Sequence, residues 1–258
     1  MWRCSPRLAP VASARALLSP YGIGVSRRLA RVGDGNSVVA LQVTENVQAG
    51  TPLLVVPDGA LLTCQVALDA DRDGLVPPPA EVVEMLKRDT EQLDRVYLAL
   101  YLSLHYFTDH GSWFADQIRR YHDSGSRYHD LDAAGARVWE VCARQYVTAP
   151  LPVYLAALRY VGDCGFRKPP APADASTAPS PAVLAVAPGL DAAARSSGAT
   201  NAALSRTTAK IVRETYLRCG ITGARQALAA KDDACSYLVL TTTADIPAGR
   251  DVSLCPSG

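Results

Sequence analysis

The four histidines of the chain, His105, His110, His122 and His129, fall within one 25-residue stretch. Closely spaced imidazoles are a first place to look for a metal site. None of them has a cysteine at ligand spacing, and their neighbours are Tyr, Asp and Arg, so the stretch reads as the solvated edge of a helix and no metal is expected. The seven cysteines, Cys4, Cys64, Cys142, Cys164, Cys219, Cys235 and Cys255, are an odd number and include no Cys-any-any-Cys pair. They read as buried thiols of a reducing compartment. No Walker loop, dinucleotide fingerprint or Ser-His-Asp set competes for the chemistry.

The elements that must position any site show in the periodicity. Val38 to Val56 places β-prone runs on either side of an Ala49-Gly50 turn, and Leu238 to Leu254 repeats this around Ala248-Gly249. At an offset of 199 residues Thr44 matches Thr243, Asn46 matches Asp245, Val47 matches Ile246 and Leu53 matches Val252. Each arm is predicted as a strand, a tight turn and a strand, with Asn or Asp bonding backbone and Gly free to take positive φ. A lone pair of strands is marginal in water, so the two arms are expected to share one core.

Between the arms the period changes from two to 3.6. Leu93, Val96, Tyr97, Leu100, His105 and Phe107 form one stripe, with Asp89 and Gln92 as an N-terminal capping pair. Further helices are predicted from Trp113, Phe114 and Ile118, from Asp132 through Cys142, and from Tyr154 through Val161. The five prolines between Pro169 and Pro181 mark a linker. Val183 to Val186 reads as a short strand, followed by a small-residue loop, a segment around Ile211 to Leu217, and an exposed loop at 220–235. The expected organisation is a leader at 1–33, a first β arm at 34–80, a helical insertion at 81–168, the linker at 169–182 and a second β arm at 183–258.

This order of motifs resembles a SET domain of the Rubisco large-subunit methyltransferase-like class. Ala49-Gly50 with Leu53-Leu54-Val55-Val56-Pro57 and Leu61-Leu62-Thr63 is similar to the family's turn, strand and exit. Leu98 to Leu102 and Gly111-Ser112-Trp113-Phe114 are similar to its first helices, and Tyr154 to Phe166 to the helix that ends in Ser-Arg-any-Phe. Pro188-Gly189-Leu190-Asp191 resembles the start of its Asn-His stretch, and Asp245 to Val252 its closing turn. The resemblance runs from about Val38 to Pro256 and implies an α+β fold, a SET-domain β fold split by a helical insertion.

The same resemblance implies that the methyl-transfer positions are degenerate. The family's Gly-any-Gly, which lets backbone approach AdoMet closely, falls on Val38, Val39 and Ala40; Gly22 and Gly24 lie upstream and substitute only across a long loop. Its Ser-Arg falls on Asp163 and Cys164, which sets a carboxylate where a cation is needed. Asp191 keeps the start of the stretch whose Asn-His pair falls on Ala194 and Arg195, with Asn201 a few residues on. The catalytic tyrosine falls on Pro256. No catalytic residue and no cofactor are expected from this alignment. A divergent AdoMet-dependent protein-lysine methyltransferase is the alternative, with Tyr237, Tyr216 and Asn201 as candidates to enter a cleft, although each also reads as a strand residue with its polar tip at the surface. An α+β domain with a coincidental likeness is a third.

Residues 1 to 33 carry Arg3, Arg7, Arg15, Arg27, Arg28 and Arg31 with no Asp or Glu. That composition is expected of a mitochondrial transit peptide, and a matrix location follows. Taking those six from a net charge of +1 leaves about −5, no footprint for general nucleic-acid binding. No stretch reaches the 18 apolar residues of a membrane span. The function expected is that of a pseudoenzyme, a structural or interaction component of a large assembly such as the mitochondrial ribosome or its assembly intermediates, with protein partners and ribosomal RNA within it.

Overall fold

The computed structural model describes residues 14–32, 40–87, 92–105, 112–123, 133–169, 183–194, 200–217, 220–223 and 236–254. The chain opens with helix α1 (Ala14–Leu18), then strands β1 (Gly24–Ser26), β2 (Leu29–Val32), β3 (Ala40–Val43), β4 (Pro52–Pro57) and β5 (Leu62–Thr63). Helices α2 (Cys64–Ala70), α3 (Pro79–Met85), α4 (Leu93–His105), α5 (Trp113–Asp123), α6 (Ala133–Gln145) and α7 (Leu151–Cys164) follow. The chain continues through β6 (Phe166–Lys168), β7 (Val183–Val186), α8 (Leu190–Ala194), β8 (Ala202–Thr208), the helical turn α9 (Ala209–Ile211), β9 (Ile221–Thr222) and β10 (Ser236–Thr242). This is an α+β fold.

The described residues of 1–60 and 195–255 form one compact unit and those of 61–194 another. The first unit is built on a five-stranded sheet in the order β8-β10-β4-β1-β9, every described pairing antiparallel. The run Pro52-Leu-Leu-Val-Val-Pro57 is buried at every position. It has no polar alternation because it lies inside the sheet, between β10 and β1.

The two arms of the internal repeat meet in this unit, and they do so reciprocally. Val47 N–H donates to Ile246 O at 2.9 Å and Ile246 N–H returns to Val47 O at 2.8 Å. Gly50 N–H donates to Thr242 O and Gly249 N–H to Val43 O, both at 2.8 Å. Gly50 and Gly249 have φ of 84° and 76°, the left-handed conformation that glycine adopts without a Cβ clash. The two arms thus pair with each other through β4 and β10 and through their turns, with β1 beside β4, β8 beside β10 and β2 beside β3, and the repeat makes a local pseudo-two-fold.

The second unit packs α7 against α4, α5, α6 and α8, beside a small sheet in the order β5-β7-β6. Val96 to Ser103 is buried along α4, as expected of a helix enclosed on most sides. Among the described residues no helix is long and apolar enough to cross a membrane.

Several elements differ from the sequence expectation. The segment 1–33 expected as a leader contains β1 and β2, and β1 lies between β4 and β9 in the sheet. The helical unit begins at 61, not 81, and takes in residues 183–194 as well, because β5 pairs with β7 through Leu62↔Val186 and Thr63↔Ala185. Residues 202–208, read as part of a small-residue loop, form β8; its small and polar side chains carry little β signal, and seven paired positions along β10 make it a strand. Helices α2 and α3 were not foreseen. Asp89, Phe107, Asp132 and most of the proline-rich linker lie outside the described residues.

Candidate functional site

In the helical unit several polar groups gather on Asp191, at the start of α8. Gly189, with φ of 84°, turns the chain into this helix. The Asp191 side chain then reaches back to α5 and α7: Trp113 Nε1–H donates to its Oδ2 at 2.7 Å and the Tyr160 hydroxyl donates to the same atom at 3.1 Å. Oδ1 accepts the Ala192 N–H at 2.8 Å. The residue is 3% exposed. Burial pushes its pKa up to about 6, while the bonds from Trp113, Tyr160 and the backbone of Ala192 and Gly189 pull the other way.

Tyr160 and Cys164 are four residues apart on α7 and share one face of it. Burial and the charge of Asp191 hold the Tyr160 phenol and the Cys164 thiol well above their ordinary ranges. Tyr121, two turns beyond Trp113 on α5, lies against both. Its ring meets that of Tyr160 edge-on at 5.8 Å, and its hydroxyl lies 3.4 Å from Cys164 Sγ and donates to Asp163 Oδ2 at 3.2 Å. Arg159 Nε also reaches Asp163 Oδ2, at 3.4 Å.

Chemically this is a clamp. An acid with a pKa of about 6 has the proton affinity of a general acid or base. Asp191, however, is enclosed, and both its oxygens already accept hydrogen bonds from the protein. Cys164 is 2% exposed and its raised pKa keeps it a thiol, the poorly nucleophilic form. Among the described residues no group of three or more His, Cys, Asp or Glu side chains is placed to hold a metal ion. His105 instead pairs with Asp71 at 3.1 Å, and Asp71 also accepts from the N–H groups of Leu75 and Val76.

The structure brings Asp163, Cys164 and Asp191 into one cluster, with Ala194 closing α8. Asp163 is not the bare negative charge the sequence suggested: Arg159 and Tyr121 both hold it. Ala40 opens β3, paired with Val32. Asn201 is committed to the backbone: its Nδ2 donates to Asp251 O at 2.9 Å, and its Oδ1 accepts the Ser253 N–H at 2.8 Å. Tyr237 is buried with Val55, Ala209, Val212, Ile221 and Val239, and Tyr216 packs against that cluster. Tyr237 is therefore a core residue and not the surface-tipped strand residue expected, whereas Tyr216 is half-buried beside that core. Val38, Val39, Arg195 and Pro256 lie outside the described residues.

Sequence reasoning used Trp113 only as a helix and motif marker, and it missed Tyr121, Arg159 and Tyr160. The available signal was spacing. Trp113, Gln117 and Tyr121 recur every four residues, as do Tyr160 and Cys164, so hydrogen-bonding groups repeat along one helix face.

No family model matches the chain, and no curated protein does. Among solved structures it is similar to one described as the SET domain of LSMT bound to lysine and AdoHcy, with a TM-score of 0.45 and 12% sequence identity. The similarity covers 98% of this chain and 55% of that one. The chain thus spans about half the length of that structure.

Proposed function

We propose that the chain is a SET-type pseudoenzyme of the mitochondrial matrix: a methyltransferase-like scaffold that binds no AdoMet and serves as a structural or interaction component of a large assembly, the mitochondrial ribosome or one of its assembly intermediates. The observation that carries the proposal is how the polar side chains at the aligned positions are spent. Asp191 clamps three helices, Asp163 is taken by Arg159 and Tyr121, and Asn201 straps the backbone at Asp251 and Ser253. A flexible zwitterionic cofactor needs several well-placed polar contacts to offset the entropy of fixing it. Ala194 and Cys164 supply neither an amide nor a cation.

The matrix location is supported by the acid-free, arginine-bearing start of the chain. The assembly role follows from that compartment together with a retained scaffold and a spent site. Isothermal titration with AdoMet and with AdoHcy tests the first half, and no saturable heat is expected from either. Clear binding of AdoMet would instead favour a divergent protein-lysine methyltransferase. Sedimentation of a mitochondrial lysate tests the second half: the chain should travel with ribosomal particles and leave them when magnesium is withdrawn. A chain found only in the light fractions would overturn the assembly role.

A further inference from the structure

We infer that residues from Ala14 onward stay in the mature protein, and that removal of an import leader stops upstream of Ala14. The leader itself rests on the mitochondrial reading proposed above; the retention of Ala14 to Val32 rests on the sheet.

Strand β1 is paired on both sides. Gly24 and Val25 stand opposite Val55 and Leu54 of β4, while Val25 and Ser26 stand opposite Thr222 and Ile221 of β9. The Thr222 hydroxyl adds a bond to Val25 O at 3.3 Å. Losing this strand would strip β4 of one neighbour and leave β9 unpaired, opening an apolar edge to water. The side chains are equally committed: Ala14 is 1% exposed, Leu18 2%, Ile23 0%, Val25 1% and Leu29 6%. The chain is also tied to the first arm, where Thr44 N–H donates to Arg28 O at 2.8 Å and the Arg28 guanidinium meets Glu45 at 2.6 Å.

The arginines that look like a leader therefore divide into two sets. Arg3 and Arg7 precede Ala14, whereas Arg15, Arg27, Arg28 and Arg31 belong to the folded segment. Removing only the first two from the net charge of +1 leaves −1 in the mature chain, where a cut at residue 33 would leave about −5.

Two measurements test this. In the first, the full chain is compared with versions lacking residues 1–13 or 1–33, each melted in solution. The shorter deletion should melt within about 3 °C of the full chain and the longer one should lose its cooperative transition. Because the longer deletion is expected not to fold, Ile23→Ala and Val25→Ala in the full chain give an independent reading, each lowering the midpoint by about 5 °C or more. Cooperative melting of the 1–33 deletion at the full chain's temperature would overturn the inference, as would alanine variants that melt unchanged.

The second measurement is N-terminal sequencing of the protein from isolated mitochondria. A start at or before Ala14 supports the inference. A start between residues 15 and 37 overturns it while leaving the mitochondrial reading intact. A protein recovered wholly outside mitochondria overturns that reading instead, and the melting comparison then still decides whether Ala14 to Val32 is part of the fold.

Discussion

Asn46 and Asp245 cap each other's turns. Asn46 Oδ1 accepts the N–H of Ala248 at 2.9 Å, and Asp245 Oδ1 accepts the N–H of Ala49 at 2.8 Å. The two residues are repeat equivalents at the 199-residue offset, and so are the two amides they bind. A side chain that ordinarily bonds within its own turn here serves its copy, so neither turn has its full set of bonds without the other.

This reciprocity predicts that Asn46→Ala and Asp245→Ala each cost about 1 kcal/mol, the worth of one hydrogen bond to backbone. Gly50→Ala and Gly249→Ala should each cost about 1–2 kcal/mol. An added Cβ at either glycine meets no atom within 4 Å, so that loss is torsional. Urea unfolding of the four variants checks both figures. A marked loss from one member of a pair and none from the other would break the symmetry argument.

The repeat was legible because its signals are local: Asn or Asp, then Ala-Gly, set between β-prone runs. The helices were legible for the same reason, through the stripe on α4 and the breaks between elements. What stayed hidden depends on contacts distant in sequence. Strand β1 has three residues and a sequence, Gly-Val-Ser, with no pattern of its own; β4 and β9 make it a strand. The Asp191 clamp joins residues 78 and 31 positions apart, and nothing in the sequence around Trp113 or Tyr160 announces a shared acceptor. The partners that occupy Asp163 and Asn201 were not legible either, since a polar side chain gives no sign in the sequence of what it binds.

A second prediction concerns acidity. Asp191 has a folded pKa of about 6, raised from 3.8. A raised carboxyl contributes stability that is complete below about pH 4 and lost as the pH rises through about 6, because the buried charged form is the disfavoured one. A shift of this size is worth about 3 kcal/mol. Asp191→Asn cannot ionise, and its amide nitrogen cannot accept the bonds that one carboxyl oxygen takes. It should be less stable than the parent near pH 4, and its unfolding free energy relative to the parent should rise by about 3 kcal/mol between pH 4 and 7.5 as the parent ionises. Two curves that run parallel from pH 4 to 7.5 would show that Asp191 is not titrating there.

The third prediction follows from the donors. Tyr160→Phe and Trp113→Phe each remove one hydrogen bond that favours the charged form of Asp191. The pH-dependent step should therefore move upward in both variants. The cost should be larger at pH 7.5 than at pH 4, at about 1–3 kcal/mol for the ionised group left short of a partner. Denaturation across the same pH range reads both effects, and a downward shift of the step would contradict the geometry.

The last prediction separates a strap from a ligand-binding amide at Asn201. Its backbone N–H donates to Ser253 O at 3.0 Å and its carbonyl accepts from Thr243 N–H at 2.8 Å, while its side chain takes the Ser253 N–H and the Asp251 carbonyl. Ser253 is 2% exposed, so its amide has little access to water once the side chain is gone. Asn201→Ala should therefore cost about 2 kcal/mol, two hydrogen bonds, and lower the melting midpoint by about 4–8 °C. Asn201→Asp keeps the acceptor for Ser253 but loses the donor and sets a negative oxygen against the Asp251 carbonyl, so it should be no better than alanine at neutral pH. Hydrogen exchange at Ser253 should quicken in the alanine variant while exchange in α4 and α7 stays slow. If Asn201 served a cofactor, its removal would spare stability and abolish a measurable AdoMet affinity. The opposite pattern, lowered stability with no AdoMet heat before or after the substitution, is the one expected.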